Sequence, residues 1–474
     1  MKHADVTILG GGPVGCLTGI LLLDMGLSVV LVERDREPYQ LPRAIVMDDE
    51  IQRLLVDHGM GEWLAVNTAP LKRGDFVGAQ NEVLIGADIP PTGLQGVAPV
   101  VVHFQPDLDA MLRAEFVRRG GDARFGHTIL DMSDDGDAVT TTLDDDTAVT
   151  SRWFIGCDGA SSWTRKHVGL VLEDLKFDQE WLVVDIELHD NSAVDLPVGV
   201  RQYCHAERPC TYVQGVRRYR RWEFQVQEHE DAAALNTTTG LWQLLSPWIT
   251  ADDATIVRSA VYRFHAVVAP QMQKGNVFLA GDAAHQTPPF AGQGLNSGMR
   301  DAINLAWKMA FVHRGILGPQ LLAQYSVERV PHVRSSVVGA VDMGRLIDQL
   351  AGRESHGVGL DSGYGGTRSQ PHIEAGMLAG DDPRVGHQFW FHPAVSRAVT
   401  TNGACFAVVA SHSIALPAAL QQLGVKVVVA PEAVHNAFAI VVRPDLYVAA
   451  VAKDAVELAT FGANLVRGMY DANF

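Results

Sequence analysis

Two glycine-rich segments hold the residues whose types and spacing are best suited to chemistry. The first, Gly10-Gly11-Gly12-Pro13-Val14-Gly15, has the spacing G-x-G-x-x-G. It follows an apolar run at 5–9 and opens a second at 14–25 that stops at Gly26; a third run, 28–33, ends on Glu33. Strand, glycine turn, helix, and a strand closing on an acid form the pattern that binds a dinucleotide. Gly10 permits the tight turn, Gly12 lets the backbone approach a pyrophosphate, and Gly15 lets helix pack closely on strand. Pro13 belongs to the same turn. The helix N-terminus would turn free N–H groups and the positive end of its dipole towards the phosphates. Glu33 is placed to accept hydrogen bonds from a ribose diol.

The second segment spans 276–300 and decides which dinucleotide. Asp282 falls just after the apolar run 276–280, where a carboxylate can reach a polyol hydroxyl. FAD has a ribityl chain and NAD has none. The turn at Pro288-Pro289 then leads into Gly292-Gln293-Gly294-Leu295-Asn296, which opens a long helical pattern. A helix N-terminus there would sit under the N1–C2=O edge of an isoalloxazine and stabilise the negative charge of the reduced ring. FAD is therefore the expected cofactor.

These segments need elements to hold them. The pattern at 5–33 predicts a βαβ unit with a right-handed crossover. Residues 127–155 alternate around Asp-rich turns and predict hairpins; 181–186 and 221–228 alternate as a sheet with one exposed face would. From about 294 a helix presents Leu295, Met299, Ala302, Ile303, Ala306, Met309 and Ala310 on one face. Residues 352–388, rich in Gly, Ser, Asp and His, read as loop. Beyond them, strands at 404–410, 426–430 and within 437–452, with helices near 414–423 and 454–467, predict a small separate α/β domain. The expected fold is α/β: a Rossmann-type FAD-binding domain in two parts (1–175 and 255–340), an inserted β-sheet substrate domain (176–254), a linker (341–390) and a C-terminal domain (391–474).

Composition narrows the function classes. The chain has 474 residues, 47% hydrophobic and 20% charged, as expected of an ordinary globular protein. The net charge of −17 argues against a nucleic-acid partner, which needs a basic face. No apolar stretch reaches 18 residues, so no membrane span is expected. No leader pattern precedes the first strand. The five cysteines are scattered, and the closest pair, Cys204 and Cys210, lacks CxxC spacing. A reduced, cytoplasmic setting is the expectation, with no metal site.

The motifs also resemble a known family. Gly10–Gly15 with Glu33, Pro42-Arg43-Ala44 followed by Asp48-Asp49-Glu50, the run Cys157-Asp158-Gly159-Ala160 through Arg165, and Gly281-Asp282 through Arg300-Asp301 resemble class A flavoprotein aromatic hydroxylases, the p-hydroxybenzoate and phenol hydroxylase superfamily. The likeness spans about residues 4–340. Within the family the chain is most similar to 3-(3-hydroxyphenyl)propionate hydroxylases, through Pro42-Arg43-Ala44-Ile45, Gly292–Ala302 and Val442–Ala450. The resemblance implies a C-terminal thioredoxin-like domain without a redox CxxC.

It further implies reduction of FAD by NADH or NADPH, capture of O2 as a flavin C4a-hydroperoxide, and hydroxylation of a phenolic ring, here a hydroxyphenyl-carboxylic acid. Arg43, Gln105 and Asp158 would serve FAD. Arg221 would steer the flavin, and the Pro289 carbonyl would accept the phenol proton. His285, His205, Arg208, Tyr212 and Gln225 are the candidates to face the substrate, with Arg208 suited to a substrate carboxylate. There is no second G-x-G-x-x-G, so the nicotinamide cofactor would visit a groove. Expected partners are a small phenolic substrate and, for assembly, a homodimer. A polycyclic or polyketide phenol is the alternative substrate, and a flavin-binding sensor or scaffold the alternative function.

Overall fold

The computed structural model describes residues 2–190, 192–353, 372–400 and 403–468. Its centre is a sheet in which Val277–Leu279, Ala148–Gly156, Lys2–Leu9, Val29–Glu33 and Asp122–Phe125 lie side by side, all parallel. Val30, Leu31 and Val32 are buried together, as a strand covered on both faces requires. The first helix, Pro13–Asp24, is apolar nearly all round because it is enclosed on every side. The sheet lies under it, and the helices Gln105–Arg118 and Gln293–His313 flank it. Gly19 permits one of these contacts: a Cβ there would stand 2.5 Å from the Phe116 ring. The hairpins expected at 127–155 are present as Ile129–Asp134, Val139–Leu143 and the start of Ala148–Gly156.

A second sheet of eight strands stands over the first. Its centre is Glu173–Leu188 between Ala254–Val268 and Tyr219–Gln225. The sheet is larger than the expected 176–254 segment. It also takes Arg73–Val77 and Val83–Asp88, because Val200–Tyr203 pairs in parallel with Arg73–Val77. One face is an apolar cluster of Leu182, Val184, Tyr212, Trp222 and Phe224 under the short helix Thr238–Leu245. The other face, reached by the alternate residues, is polar.

The helix Gln324–Leu350 runs past the expected boundary at 340, and Pro331 lies inside it. Of the expected linker, 354–371 lies outside the described residues. The C-terminal strands form a four-stranded sheet in the order Lys426–Val429, Ala407–Ala410, Ala439–Val442, Val448–Ala452, with the first pair parallel and the others antiparallel. It is less separate than the sequence suggests. Phe406, Val408, Val441 and Ala449 share one apolar cluster with Trp307 and Phe311 of the Gln293–His313 helix. Among the described residues no helix is long and apolar enough to cross a membrane.

Candidate functional site

Three strands of the parallel sheet end together, and their carboxyl ends supply the glycine turn, the Asp158 loop and the Asp282 loop. Brought side by side, they form the crevice where open α/β sheets bind ligands. Gly10 takes φ +110°, and a Cβ on it would lie 2.3 Å from the Cys157 carbonyl oxygen. A Cβ on Gly15 would lie 1.9 Å from the Gly10 carbonyl oxygen, so strand and helix touch there as the spacing predicts. Gly12 is different: a Cβ would meet nothing within 4 Å. It caps the Pro13–Asp24 helix without a side-chain hydrogen bond, leaving the helix N–H groups facing open space. Glu33 closes this cradle by accepting from the Gly11 N–H at 2.6 Å and the Asp35 N–H at 2.9 Å.

The helix Gln105–Arg118 lines the same cradle with Gln105, Asp109 and Arg113, one turn apart on one face. Gln105 Oε1 accepts from the Ala44 N–H at 2.5 Å. Arg113 donates to the carbonyls of Gly11, Asp35 and Arg36, tying the phosphate turn to the ribose loop. Burial pushes the Asp109 carboxyl up to about 6, opposed by Arg43, Gln105 and Arg113. Sequence reasoning named Gln105 but missed Asp109 and Arg113; the signal was their i, i+4, i+8 spacing from Gln105. Arg43 is exposed at the rim, stacked over Tyr39 at 4.7 Å.

Asp282 stands in the 3-10 turn Gly281–Ala283. It is exposed to solvent, yet desolvation by the surrounding chain raises its carboxyl above the ordinary range, opposed by His285 and Arg43. It accepts no hydrogen bond from the described residues, which leaves it free for a ligand. Gly292 takes φ +61° and caps the Gln293–His313 helix with no side-chain bond, and a Cβ on Gly294 would meet nothing within 4 Å. Open backbone at Gly12 and Gly294, an acid at Asp282 without a hydrogen bond and a cation at Arg43 without an ion pair among the described residues fit FAD, the cofactor the sequence predicts. Leu295 is half-buried at the same turn.

Several predicted residues prove to support the site rather than face it. Asp158 accepts from Ser162 Oγ at 2.6 Å and from the Thr164 N–H at 2.9 Å, so it organises its own loop. Arg165 links that loop to the next by donating to the Ala283 carbonyl at 2.7 Å and the Ala160 carbonyl at 3.0 Å. Asn296 Oδ1 accepts from the Asp48 N–H at 3.0 Å and its Nδ2 donates to the Gly292 carbonyl at 2.8 Å. His285 is fully buried and pairs through Nε2 with Asp301 at 2.7 Å, while Asp301 also accepts from the Gly281 N–H at 2.9 Å. Its role here is to hold the Asp282 turn. The Pro289 carbonyl accepts from the Gly292 N–H at 2.8 Å and keeps one lone pair.

On the polar sheet face, Arg221 is buried in a two-point pair with Asp185, at 2.7 and 3.1 Å. Its third nitrogen donates to the Arg43 carbonyl at 2.6 Å, and Arg258 donates to the Pro42 carbonyl at 2.7 Å. Both arginines thus hold the 42–43 loop at the cradle's rim. His103 lies close by, buried, with neither ring nitrogen hydrogen-bonded; burial and Arg221 pull its pKa down to about 3.

The substrate candidates are dispersed. Tyr212 is fully buried in the apolar face against Trp222, because it alternates to the wrong side of its strand. Arg208 pairs with Glu230 and donates to the Gln225 carbonyl at 2.9 Å, so its charge is matched. Gln225 Oε1 accepts from Arg353 at 2.6 Å. His205 Nε2 lies 3.1 Å from the Gly78 carbonyl.

A crevice at the carboxyl ends of a parallel sheet, with an open glycine turn, an acid that accepts no hydrogen bond from the described residues and a long helix opening at Gly292, defines a flavoprotein of the dinucleotide-binding class. The chain belongs to the FAD binding domain family, whose model matches residues 3–340. It is 34% identical over 351 residues to a probable NADH-specific resorcinol 4-hydroxylase of Rhodococcus jostii (strain RHA1), covering 73% of this chain and 66% of that one. It is also 34% identical over 355 residues to a 3-(3-hydroxy-phenyl)propionate/3-hydroxycinnamic acid hydroxylase of Mycobacterium sp. (strain JLS), covering 72% and 60%. The chain thus spans somewhat under two thirds of the length of these relatives. Among solved structures, its fold matches aklavinone-11 hydroxylase with FAD and aklavinone at a TM-score of 0.80 and 22% identity, covering 98% and 99%. The flavin-dependent monooxygenase PieE matches at 0.79 and 21%, with the same coverage.

Proposed function

We propose that this protein is an FAD-dependent monooxygenase that hydroxylates a phenolic ring, using NADH or NADPH as reductant and O2 as oxidant. The observation that carries the reading is the placement of the FAD cradle directly beneath a buried, polar sheet face, with Arg221 joining the two at the Arg43 carbonyl. The named relatives, which are hydroxylases of phenols, support it.

In this reading the chain's own groups bind and orient. The N–H groups behind Gly12 and the Arg113-braced turn would hold the pyrophosphate, Glu33 the ribose and Asp282 the ribityl hydroxyls. The N-terminus of the Gln293–His313 helix would stabilise negative charge on the reduced flavin. Bound FAD supplies the electron transfer and oxygen activation. The substrate ring lies between the flavin site and the polar sheet face. There the free lone pair of the Pro289 carbonyl accepts a hydrogen bond from the phenol hydroxyl and raises electron density on the ring. Phe290, which meets Trp181 at 5.2 Å and Phe177 at 5.8 Å, walls this space on its apolar side. We place the nicotinamide cofactor in an open groove, since the chain has one dinucleotide turn of this kind.

The decisive test is turnover by the purified FAD-loaded protein under 18O2. A phenol should accelerate NADH or NADPH oxidation and leave with one labelled oxygen. If no phenol stimulates reductant consumption, or the new oxygen comes from water, the reading fails.

A further inference from the structure

The polar sheet face carries a buried acid, Glu223, that accepts no hydrogen bond from the described residues. Residues directly opposite in neighbouring strands share a face. Asp185 stands opposite Arg221 and Arg258, Val183 opposite Glu223, and Trp181 opposite Gln225. At one end of these rows Arg221 reaches the Arg43 carbonyl; at the other, Trp181 meets Phe290, next to Pro289. Glu223 therefore lies on this face between the row that reaches the Arg43 loop and the row that meets Phe290.

Its neighbours on this face are already paired. Asp185 is matched by Arg221 and Arg258, Gln225 is held by Arg353, and Thr211 donates to Gln202 at 2.6 Å. Glu223 is 7% exposed and accepts no hydrogen bond from the described residues. The cation nearest to it in the charge pairs is Arg221 at 3.7 Å, whose guanidinium is already engaged by Asp185 and the Arg43 carbonyl. Burial pushes the Glu223 carboxyl above its ordinary range, with Arg221 opposing and Asp185 adding to the push, as befits an acid short of donors.

Charge balance decides what ligand suits it. Among the described residues, Arg221 and Arg258 on this face are met by Asp185 and Glu223, and Arg353 at its edge lies 3.8 Å from Asp348, so the charges there are balanced. An ionised carboxylate only accepts hydrogen bonds. A ring bearing its own carboxylate would set two acids in one enclosed space, and a buried unpaired charge is strongly unfavourable. An uncharged ring with a further hydroxyl would donate to Glu223 and supply what it lacks.

We propose that Glu223 is the specificity-determining residue of this site, selecting an uncharged phenol with a second hydroxyl and disfavouring rings that carry a carboxylate. This rests on the hydroxylase reading above and departs from the acid substrate expected from the sequence.

The test compares 1,3-dihydroxybenzene with 3-(3-hydroxyphenyl)propionate on FAD-loaded wild type, Glu223→Gln and Glu223→Asp. Two readouts are used: steady-state hydroxylation, and the change in the oxidised flavin spectrum on titrating each ligand. Wild type should favour the neutral diol. Glu223→Gln should raise the KM and Kd for the diol about tenfold, which is ~1.4 kcal/mol, and ease binding of the acid. Glu223→Asp, charged but retracted, should lose the diol while still rejecting the acid. A wild type that prefers the acid, a Glu223→Gln variant with an unchanged ratio, or a flavin spectrum blind to both ligands would overturn the proposal. Titrations that follow the expected order without any hydroxylation would remove the hydroxylase reading and leave the role of Glu223 standing.

Discussion

At the residue scale, the site rests on groups the fold leaves unsatisfied. Asp282 is the clearest, an acid beside an open turn that accepts no hydrogen bond from the described residues. Removing it by Asp282→Ala deletes a charge-assisted hydrogen bond worth roughly 1.5–3 kcal/mol. FAD affinity should fall by about ten- to a hundredfold in equilibrium titration, with the fold retained by circular dichroism; unchanged affinity would sever Asp282 from the cofactor. Gly12 makes the complementary case. A Cβ there clashes with nothing in the chain, so Gly12→Val should fold normally while occupying the space the pyrophosphate needs. The purified variant should carry little FAD at an unchanged far-ultraviolet spectrum. A yellow, FAD-replete Gly12→Val protein would put the pyrophosphate elsewhere.

At the scale of elements, the Gln293–His313 helix reaches the cradle only because it crosses the first helix closely. Gly298 is the crossing point: a Cβ there would lie 2.6 Å from Val14 Cγ2 and 3.1 Å from the Gly281 Cα. Gly298→Ala must displace either Val14 or the backbone that carries Asp282. Overpacking of this kind costs about 1–3 kcal/mol. The variant should unfold at lower denaturant, and Val14→Ala in the same chain should recover part of the loss. If the two changes simply add, the crossing is not tight at that point. The loop-to-loop bond from Arg165 to the Ala283 carbonyl serves the same end, fixing the Asp158 loop and the Asp282 turn as one unit.

At the scale of the whole molecule, buried charge ties the C-terminal sheet to the flavin-binding part. Glu328 is fully buried between Lys308, at 2.7 Å, and Arg443, at 2.7 and 3.0 Å; Asp445 completes the cluster. A second chain of bonds runs from the Tyr447 hydroxyl to Glu50, Arg300 and Asp48, and so to Gln293 at the start of the long helix. Breaking such a pair from one side leaves an uncompensated buried charge, at about 3–5 kcal/mol. Arg443→Met should therefore lower the unfolding midpoint sharply, and the C-terminal region should not melt as a separate transition. A separate transition, or a midpoint within error of wild type, would contradict this coupling.

The same cluster sets a pH dependence. Burial alone would push the Glu328 carboxyl up, but Arg443 and Lys308 outweigh it and hold it down at about 2. A depressed folded value means the stabilisation is fully present above the ordinary 4.5 and is lost as pH falls through about 2. Melting temperature should drop across that window, and less steeply in Glu328→Gln. Parallel profiles for the two proteins would show that other acids govern the acid transition.

The glycine turn is legible in the chain's residues because its spacing, helix start and terminal acid lie within one short βαβ unit whose geometry is local. Gly10, Gly12, Gly15 and Glu33 were legible for that reason, Asp282 from its place just after the apolar run 276–280, and the central strands from apolar runs that need burial on both faces. What only the tertiary structure decided was which polar side chains face the crevice. Tyr212 and Arg208 look like substrate contacts in the sequence, yet one alternates into the apolar core and the other is neutralised by Glu230, a partner 22 residues away. Arg113 left only its helical spacing from Gln105, and His103 and Glu223 gave no motif, since their surroundings depend on elements distant in the chain. The C-terminal sheet reads as a separate unit from its local pattern. It is joined to the rest because burial of Arg443, Asp445 and Tyr447 finds its countercharges and hydrogen-bond partners on helices far upstream, a pairing no local periodicity records.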